Sequence, residues 1–475
     1  MKNKKLVKEV ISREKDFSQW YSDVCLKSEL IDYSDVKGFF IYLPYGYAIW
    51  ELIQKFLNEN LKKSNHQNVY FPLLLSENIF KKEQEHIKGF SPEMIIIDKI
   101  GEKKLPEKLI IRPTSEVLFS RYYSKKINSY RELPKLFNQW CSVVRWEKSN
   151  KPFLRSKEFL WQEGHTAHEN KEEALKESID ILNLYKKLGK KLLAIPFVSG
   201  EKTESEKFKG AEITFSIEAL MYDKQALQAG TSHYLGQNFS KAFQIKFQNI
   251  KGENKFVEQT SWGVSSRLIG AVIMIHGDDE GLVLPPFLAP IQIVIIPLKL
   301  KNPEIIEKSK KLYEKLSKKY RTFLDEQNKN IGWKFSHYEL KGVPIRIEIG
   351  QNDLINNEIT IFTRHNFEKK IILEKSLLVI IPNLLKKINK EMFEKALLHL
   401  KQNTKKATNY EEFKNYIKNY SGYVKMSVFK NEAEKIIKKE TGATARVILK
   451  EKLITQICPV TKKKANQTIL FARAY

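Results

Sequence analysis

Residues 112–165 constrain this chain more than any other stretch. They open Arg112-Pro113-Thr114-Ser115-Glu116, pass through Val143-Val144-Arg145-Trp146-Glu147, and close Phe159-Leu160-Trp161-Gln162-Glu163-Gly164-His165. Arg145 and Arg155 flank a polar loop that holds Lys148, Asn150, Lys151 and Pro152. Apolar residues on either side (Val143 and Val144, Phe159 and Leu160) predict two antiparallel strands, a long hairpin. Two guanidinium forks from adjacent strands would converge on one spot, and planar, permanently charged forks suit bidentate binding of phosphates. The plain alternative is a pair of solvated surface arginines, since most exposed charges are weakly coupled. Thr114, Glu116, Phe159, Trp161 and His165 crowd the same span, which a solvated face does not require.

Upstream, Gly38–Pro44 leads into an amphipathic helix with Ile49, Leu52, Ile53, Phe56, Leu57 and Leu61 at helical spacing. A short strand, Val69-Tyr70-Phe71, follows, ended by Pro72. Residues 76–110 read as a strand–loop excursion. A helix is expected over residues 171–193, with Leu175, Ile179, Leu182 and Tyr185 on one face. Ile213, Phe215, Ile217 and Ala219 then alternate with Thr214, Ser216 and Glu218, the period of a strand. The next strand, residues 228–237, carries Gln228, Thr231, Ser232 and His233 where a core strand would carry Val or Ile, so it predicts a lined cavity. Residues 262–270 read as a strand turning into a helix at Arg267. A cation at a helix start opposes the dipole, a cost that makes sense if Arg267 is there to hold an anion.

Three prolines within residues 285–290 mark a boundary that neither helix nor central strand can cross. Beyond it strand and helix alternate: a strand over residues 291–296, then a helix capped by Asn302 with Pro303 in its first turn. The helix face is read as Ile305, Leu312, Leu316, Tyr320 and Phe323, with strands near residues 334–338, 359–364 and 370–373. A lysine-rich segment, residues 405–475, ends in Tyr475. The fold class expected is α/β and α+β, multidomain.

Lysine and arginine number 82 against 56 aspartates and glutamates, a net charge of +26. The excess is spread along the chain and suggests a polyanionic partner, although a lysine-rich coding bias would contribute. Cys25, Cys141 and Cys458 lie far apart, so neither a disulfide framework nor a zinc knuckle is written. A reducing, cytoplasmic setting follows. Met1–Lys5 is basic without an apolar stretch after it, and no membrane-spanning run is present.

The 112–165 stretch resembles the second signature motif of the class II aminoacyl-tRNA synthetases. Arg-Pro-Thr-Ser-Glu and Trp-Gln-Glu-Gly-His are similar to the marks of the prolyl-tRNA synthetases within that class. The resemblance implies a catalytic domain with an antiparallel sheet over residues 1–284, with motifs 1, 2 and 3 near residues 38–72, 143–165 and 262–285. An α/β anticodon-binding domain is implied over residues 285–404, and a small α+β C-terminal domain over residues 405–475. It further implies ATP-dependent ligation of L-proline to its tRNA through a prolyl-adenylate, and a homodimer built on motif 1.

By the same resemblance Arg145 and Arg267 are catalytic. Arg145, Glu147, Arg155, Ser156, Phe159, Gln228, Thr231, Ser265 and Arg267 contact ATP, which brings Mg²⁺. Thr114, Glu116, Arg145, Trp161, His165 and His233 surround proline. Glu339 and Arg346 are the anticodon candidates. Prolyl enzymes of the archaeal and eukaryotic type carry a C-terminal extension with a four-cysteine zinc site and a terminal tyrosine tucked toward the active site. Only Cys458 remains here, and one thiolate cannot make a tetrahedral site, so no zinc is expected. Fewer than 100 residues separate His165 from Trp262, which leaves no room for a large editing insertion.

A threonyl-type synthetase would need a zinc with a cysteine and two histidines as ligands, and no cysteine stands near Arg112. A catalytically silent tRNA-binding relative would be expected to lose one phosphate-contacting arginine. Lys425-Met426-Ser427 lacks the partner motif of a class I enzyme, and neither a P-loop nor a dinucleotide-binding glycine pattern occurs.

Overall fold

The computed structural model describes residues 10–84, 94–429 and 431–475. Met1–Lys5 and part of the predicted 76–110 excursion therefore lie outside the described residues. The catalytic portion is built on helix α1 (Pro44–Lys63) and strands β1 (Gln67–Val69), β2 (Lys135–Val144) and β3 (Glu158–His168). Helix α2 (Lys171–Leu188) follows, then β4 (Val198–Glu201), β5 (Ile213–Leu220), β6 (Ala226–Gly236), β7 (Glu258–Ser265) and helix α3 (Arg267–His276).

Pro44 starts α1 because its missing N–H would be unpaired there in any case. The helix buries Ile49, Ile53, Leu57 and Leu61, as the apolar spacing predicts. The strand expected at residues 69–71 ends at Val69. Phe71 leaves the ladder, and its amide donates to the side chain of Gln139 instead. Within residues 76–110 a helix, Glu77–Gln84, precedes the paired strands Ile96–Ile100 and Lys103–Ile111.

Helix α2 lies on the back of the sheet through a face that shares only Leu182 and Tyr185 with the expected one. It buries Ala174, Ser178, Ile181, Leu182 and Tyr185, whereas Ile179 is exposed. Small residues win because the helix sits close to the sheet: Ser232 Oγ donates to the Ser178 carbonyl at 2.8 Å, and Tyr185 reaches Gln162 at 2.8 Å. The last turn, Gly189–Leu193, widens to a π-turn, so the α-helix stops short of residue 193.

The next portion comprises β8 (Ile293–Pro297), α4 (Pro303–Ser317), β9 (Thr322–Leu324), α5 (Ile331–Leu340), β10 (Ile345–Ile349), β11 (Glu358–Thr363), β12 (Glu368–Leu373) and α6 (Leu377–Gln402). Its five strands run in the order β9-β8-β10-β11-β12. Asn302 caps α4 by accepting from the amides of Glu304 and Ile305, and Asn302→Ala should cost about 1 kcal/mol in urea unfolding of this portion. Phe323 lies outside the helix, on β9 and 38% exposed. Residues 334–338, expected as a strand, are helical. Asn330 caps α5, and Lys334 is wholly buried with its ammonium 3.2 Å from Asp325. The central strand is β10, where Ile345, Ile347 and Ile349 are buried around Arg346 and Glu348. Arg364 joins this portion to the catalytic one, its fork donating to both oxygens of Asp278 at 2.7 and 2.5 Å.

The C-terminal portion holds β13 (Thr404–Lys406), β14 (Tyr423–Val428), α7 (Glu432–Thr441), β15 (Thr444–Leu449) and β16 (Gln467–Ala472). It does not form a separate sheet. Ile448 on β15 pairs with Glu201 on β4, and one sheet of eleven strands runs β13-β14-β16-β15-β4-β5-β6-β7-β3-β2-β1. From β14 through to β2 every neighbouring pair is antiparallel.

Candidate active site

Register assembles the site. Across β3, β7, β6 and β5 one row reads Glu163, Gly263, Thr231, Ser216, and the next reads His165, Ser261, His233, Thr214. Trp161 pairs with Ser265 one step further along β3. Side chains two apart on a strand share a face, so Trp161, Glu163 and His165 look out together. Residues of opposite phase, such as Gln162 and Ser232, bond to α2 behind. Gly164 and Trp262 are also partners, and a Cβ on Gly164 would stand 2.0 Å from the Trp262 ring. The indole therefore packs flat on bare backbone at that point.

In front of these rows lies a cavity of about 260 Å³. Thr114, Glu116, Arg145, Trp161, His165, Gln228, Thr231 and His233 line it, eight residues expected from the sequence. Glu163, Lys202, Glu206, Lys207, Phe208 and Thr214 also line it and were not expected. Strand period alone could have found Glu163, midway between Trp161 and His165. Residues 202–208 carry no such signal, because their position is set by folding against distant elements.

The polar side chains are interlocked. The Thr114 hydroxyl donates to Glu116, and the Ser115 hydroxyl, at 2.5 Å, and the Gln139 amide, at 2.8 Å, donate to Glu163. Burial alone would raise the Glu163 carboxyl, but hydrogen bonds from His165, Ser115 and Gln139 outweigh it and hold it below its usual value. His165 stacks on Phe119 at 4.1 Å and meets Glu163 at 3.1 Å. His233 bonds Thr214 at 2.9 Å, and burial drops its pKa to about 3, so it is a neutral ring at physiological pH.

The hairpin forms, but Arg145 and Arg155 sit beyond its strand ends, in the loop. The ladder closes with the Arg145 amide on the Lys157 carbonyl at 2.7 Å. Pro152 and Phe153, with φ +58°, then turn the chain, and strand geometry cannot continue through such a turn. The guanidinium groups nevertheless gather. Arg145 Nε donates to the Pro113 carbonyl at 3.0 Å, and its fork lies 5.5 and 5.2 Å from the rings of Phe159 and Trp161. Arg267 donates to the Leu154 and Gln228 carbonyls at 3.2 and 3.3 Å. Its pKa falls to about 10 through burial, with Arg145 and Arg155 pressing it further down. Arg145 is likewise lowered by burial, while Glu116, Glu163 and Glu147 pull it back. Arg155 is exposed and donates to Ser149 at 3.0 Å. An anion among these cations would relieve their mutual repulsion.

Phe159, Ser156, Glu147 and Ser265 border this cluster rather than line the cavity. Ser265 Oγ accepts the Arg267 amide at 3.3 Å, and Ser156 is buried. Arg112 is a clamp, donating to the carbonyls of Ser142 and Phe71. Tyr475 docks against the start of β6: its amide donates to the Ala226 carbonyl at 3.0 Å and its hydroxyl bonds Asp223. The Lys151 ammonium, from the hairpin loop, lies 5.1 Å over the tyrosine ring.

Glu339 and Arg346 lie far along the chain in the α4–β12 portion and do not join the cavity. They pair with each other at 2.8 Å, and Arg346 is 5% exposed between the rings of Phe335 and Phe362. No group of three or more His, Cys, Asp or Glu side chains among the described residues is arranged to hold a metal. No helix of the described residues is long and apolar enough to cross a membrane.

Comparison with known proteins finds relatives along the whole chain. The tRNA synthetase class II core domain (G, H, P, S and T) matches residues 99–276, an anticodon binding domain matches 292–384, and a prolyl-tRNA synthetase C-terminal domain matches 410–475. A proline--tRNA ligase of Onion yellows phytoplasma (strain OY-M) is 63% identical over 475 residues, the whole of both chains. One from Ruminiclostridium cellulolyticum is 48% identical over 476 residues, again spanning both chains. A crystal structure of prolyl-tRNA synthetase from Cryptosporidium parvum, complexed with halofuginone and AMPPNP, superposes with a TM-score of 0.95 at 38% identity, covering 99% of this chain and all of that one. The chain belongs to the prolyl-tRNA synthetase family of class II aminoacyl-tRNA synthetases.

Proposed function

We propose that this protein joins L-proline to its tRNA in two steps at the cavity in front of β3, β7 and β6. A proline carboxylate oxygen attacks the α-phosphorus of ATP, the bond to diphosphate breaks, and prolyl-adenylate forms. A terminal ribose hydroxyl of tRNA then attacks the prolyl carbonyl, and AMP leaves. Both steps need alignment and neutralised charge more than a protein nucleophile. The convergence of Arg145, Arg155 and Arg267 beside an aromatic-walled cavity that holds Glu116 and Glu163 is the observation that carries this reading.

Arg145 holds the α-phosphate and the proline carboxylate, while Arg155 and Arg267 take the outer phosphates. Phe159 stacks on adenine, and Glu147, Ser156, Gln228, Thr231 and Ser265 border the nucleotide. Glu116 and the Thr114 oxygen accept from the imino nitrogen. Trp161, His165 and His233 wall the ring, and a neutral His233 adds no charge to repel it. Mg²⁺ would come with the triphosphate and would offset its charge. Gln228 offers it only an amide where a carboxylate would bind better.

Several coarser features fit the same proposal. The domains divide at residues 284 and 404. The archaeal and eukaryotic-like type without an editing insertion is part of the proposal on the short path from β3 to β7; the relatives named above include bacterial ones. Cys458 accepts the Thr461 amide at 3.4 Å, and a single thiol does not fit a tetrahedral zinc. Exposed Tyr70 and Leu73 beside edge strand β1 support a homodimer face at motif 1. Glu339 and Arg346 contribute to anticodon reading as a pair that fixes the neighbouring surface, given the burial of Arg346. The cytoplasm, which supplies ATP and tRNA, is the setting. No observation favours the threonyl-type or the silent tRNA-binding alternative.

Diphosphate–ATP exchange with proline, alanine, cysteine and threonine side by side tests the activity. Exchange should be strongest with proline and weaker but measurable with alanine and cysteine, because an apolar pocket separates small ligands poorly. Exchange driven by threonine alone, or by none of the four, would reject the proposal.

A further inference from the structure

One wall of the cavity belongs neither to the sheet nor to the arginines. It is made by the segment that leaves β4, from which Lys202, Glu206, Lys207 and Phe208 face the cavity. The Phe208 ring lies 5.0 Å from His233, at the end assigned to the imino acid.

The C-terminal portion fastens this segment at separate points. Glu434, in the first turn of α7 and 5% exposed, accepts the Thr203 hydroxyl at 2.6 Å and the Ser205 hydroxyl on the same oxygen. One turn along α7, Lys438 stands 3.8 Å from Glu206. Arg446, on β15, donates twice to Glu218, whose other oxygen takes the Lys202 ammonium at 2.8 Å. The arginine cluster is anchored elsewhere, on the Pro113, Leu154 and Gln228 carbonyls.

We infer that Glu434 is a positioning residue for proline recognition: from the C-terminal portion it holds residues 203–205 so that Phe208 closes the proline end of the cavity. This rests on the substrate assignment proposed above. Without the carboxylate, two hydroxyls lose a charged acceptor, and a buried polar group left without a partner drives local rearrangement. The rearrangement reaches Phe208 and spares the phosphate-binding side.

Exchange kinetics on the full chain provide the test. Glu434→Ala should raise KM for proline about tenfold. KM for ATP and kcat should stay near wild type, while the thermal midpoint falls by a few degrees, since Glu434 also accepts the Asn431 amide at the start of α7. Glu434→Gln, which keeps an acceptor oxygen, should recover most of the loss. Thr203→Val should raise KM for proline by itself and add little on top of Glu434→Ala, since both remove one interaction. A wild-type KM for proline in active Glu434→Ala, an equal rise in both KM values, or full additivity with Thr203→Val would overturn the bracing. Absence of proline-dependent exchange in the wild type would instead overturn the activity assignment, and the bracing with it.

Discussion

Arg145→Ala is expected to lower proline-dependent diphosphate–ATP exchange by about a thousandfold, the scale for losing a donor aimed at charge that develops in the transition state. The reason lies in how this side chain is held. Its Nε is fixed on the Pro113 carbonyl and its plane lies against Phe159 and Trp161, so the fork enters the reaction already oriented. The acidic neighbours Glu116, Glu163 and Glu147 keep a desolvated guanidinium charged. Arg145→Lys should restore little, because an ammonium has neither the fork nor the flat face. The loss should appear mainly in kcat, with an unchanged circular dichroism spectrum. A variant retaining a tenth of wild-type exchange would mean that Arg145 is not at the reacting phosphate.

The second large effect concerns stability. Glu218 is fully buried and receives Lys202, Arg446 and the Ser216 hydroxyl at once. Burial alone would raise its pKa, but the two cations outweigh that and lower it. Lys202 is itself lowered by burial, with Glu218 opposing. Glu218→Ala leaves two buried cations facing one another, and should cost about 3–5 kcal/mol in urea unfolding of the catalytic and C-terminal portions. Because the folded carboxyl titrates below its unfolded value, the contribution is fully present above the ordinary carboxylate range. It is lost as pH falls through the lowered folded value. Wild type should therefore destabilise on acidification through that window more steeply than Glu218→Gln. Equal acid profiles for the two would show that the carboxylate carries no such load.

Local signals in the sequence were strong where one element decides its own shape. The apolar spacing of α1, the Asn302 cap and the alternation of β5 each came through. So did the polar face of β6, because a strand with His233 and Thr231 on one side has to border a cavity. Signals failed where tertiary packing overrides them. Ser178 is buried against Ser232, so the α2 face is marked by small residues rather than by Ile179. Lys334 is buried in a helix because Asp325 meets it there, a partner nine residues away that no periodicity announces. Thr203 and Glu434 meet across more than 200 residues of chain, a contact that only the folded sheet reveals.

The seam between β4 and β15 has a consequence for self-association. A strand with open amides recruits strands from other molecules, and β4 would be such an edge if the sheet stopped there. β15 covers it, and β16 and β14 carry the ladder onward to the short β13, whose Lys405 and Lys406 put charge on the new rim. The join thus moves the sticky border of the sheet to a place where two ammonium groups discourage stacking.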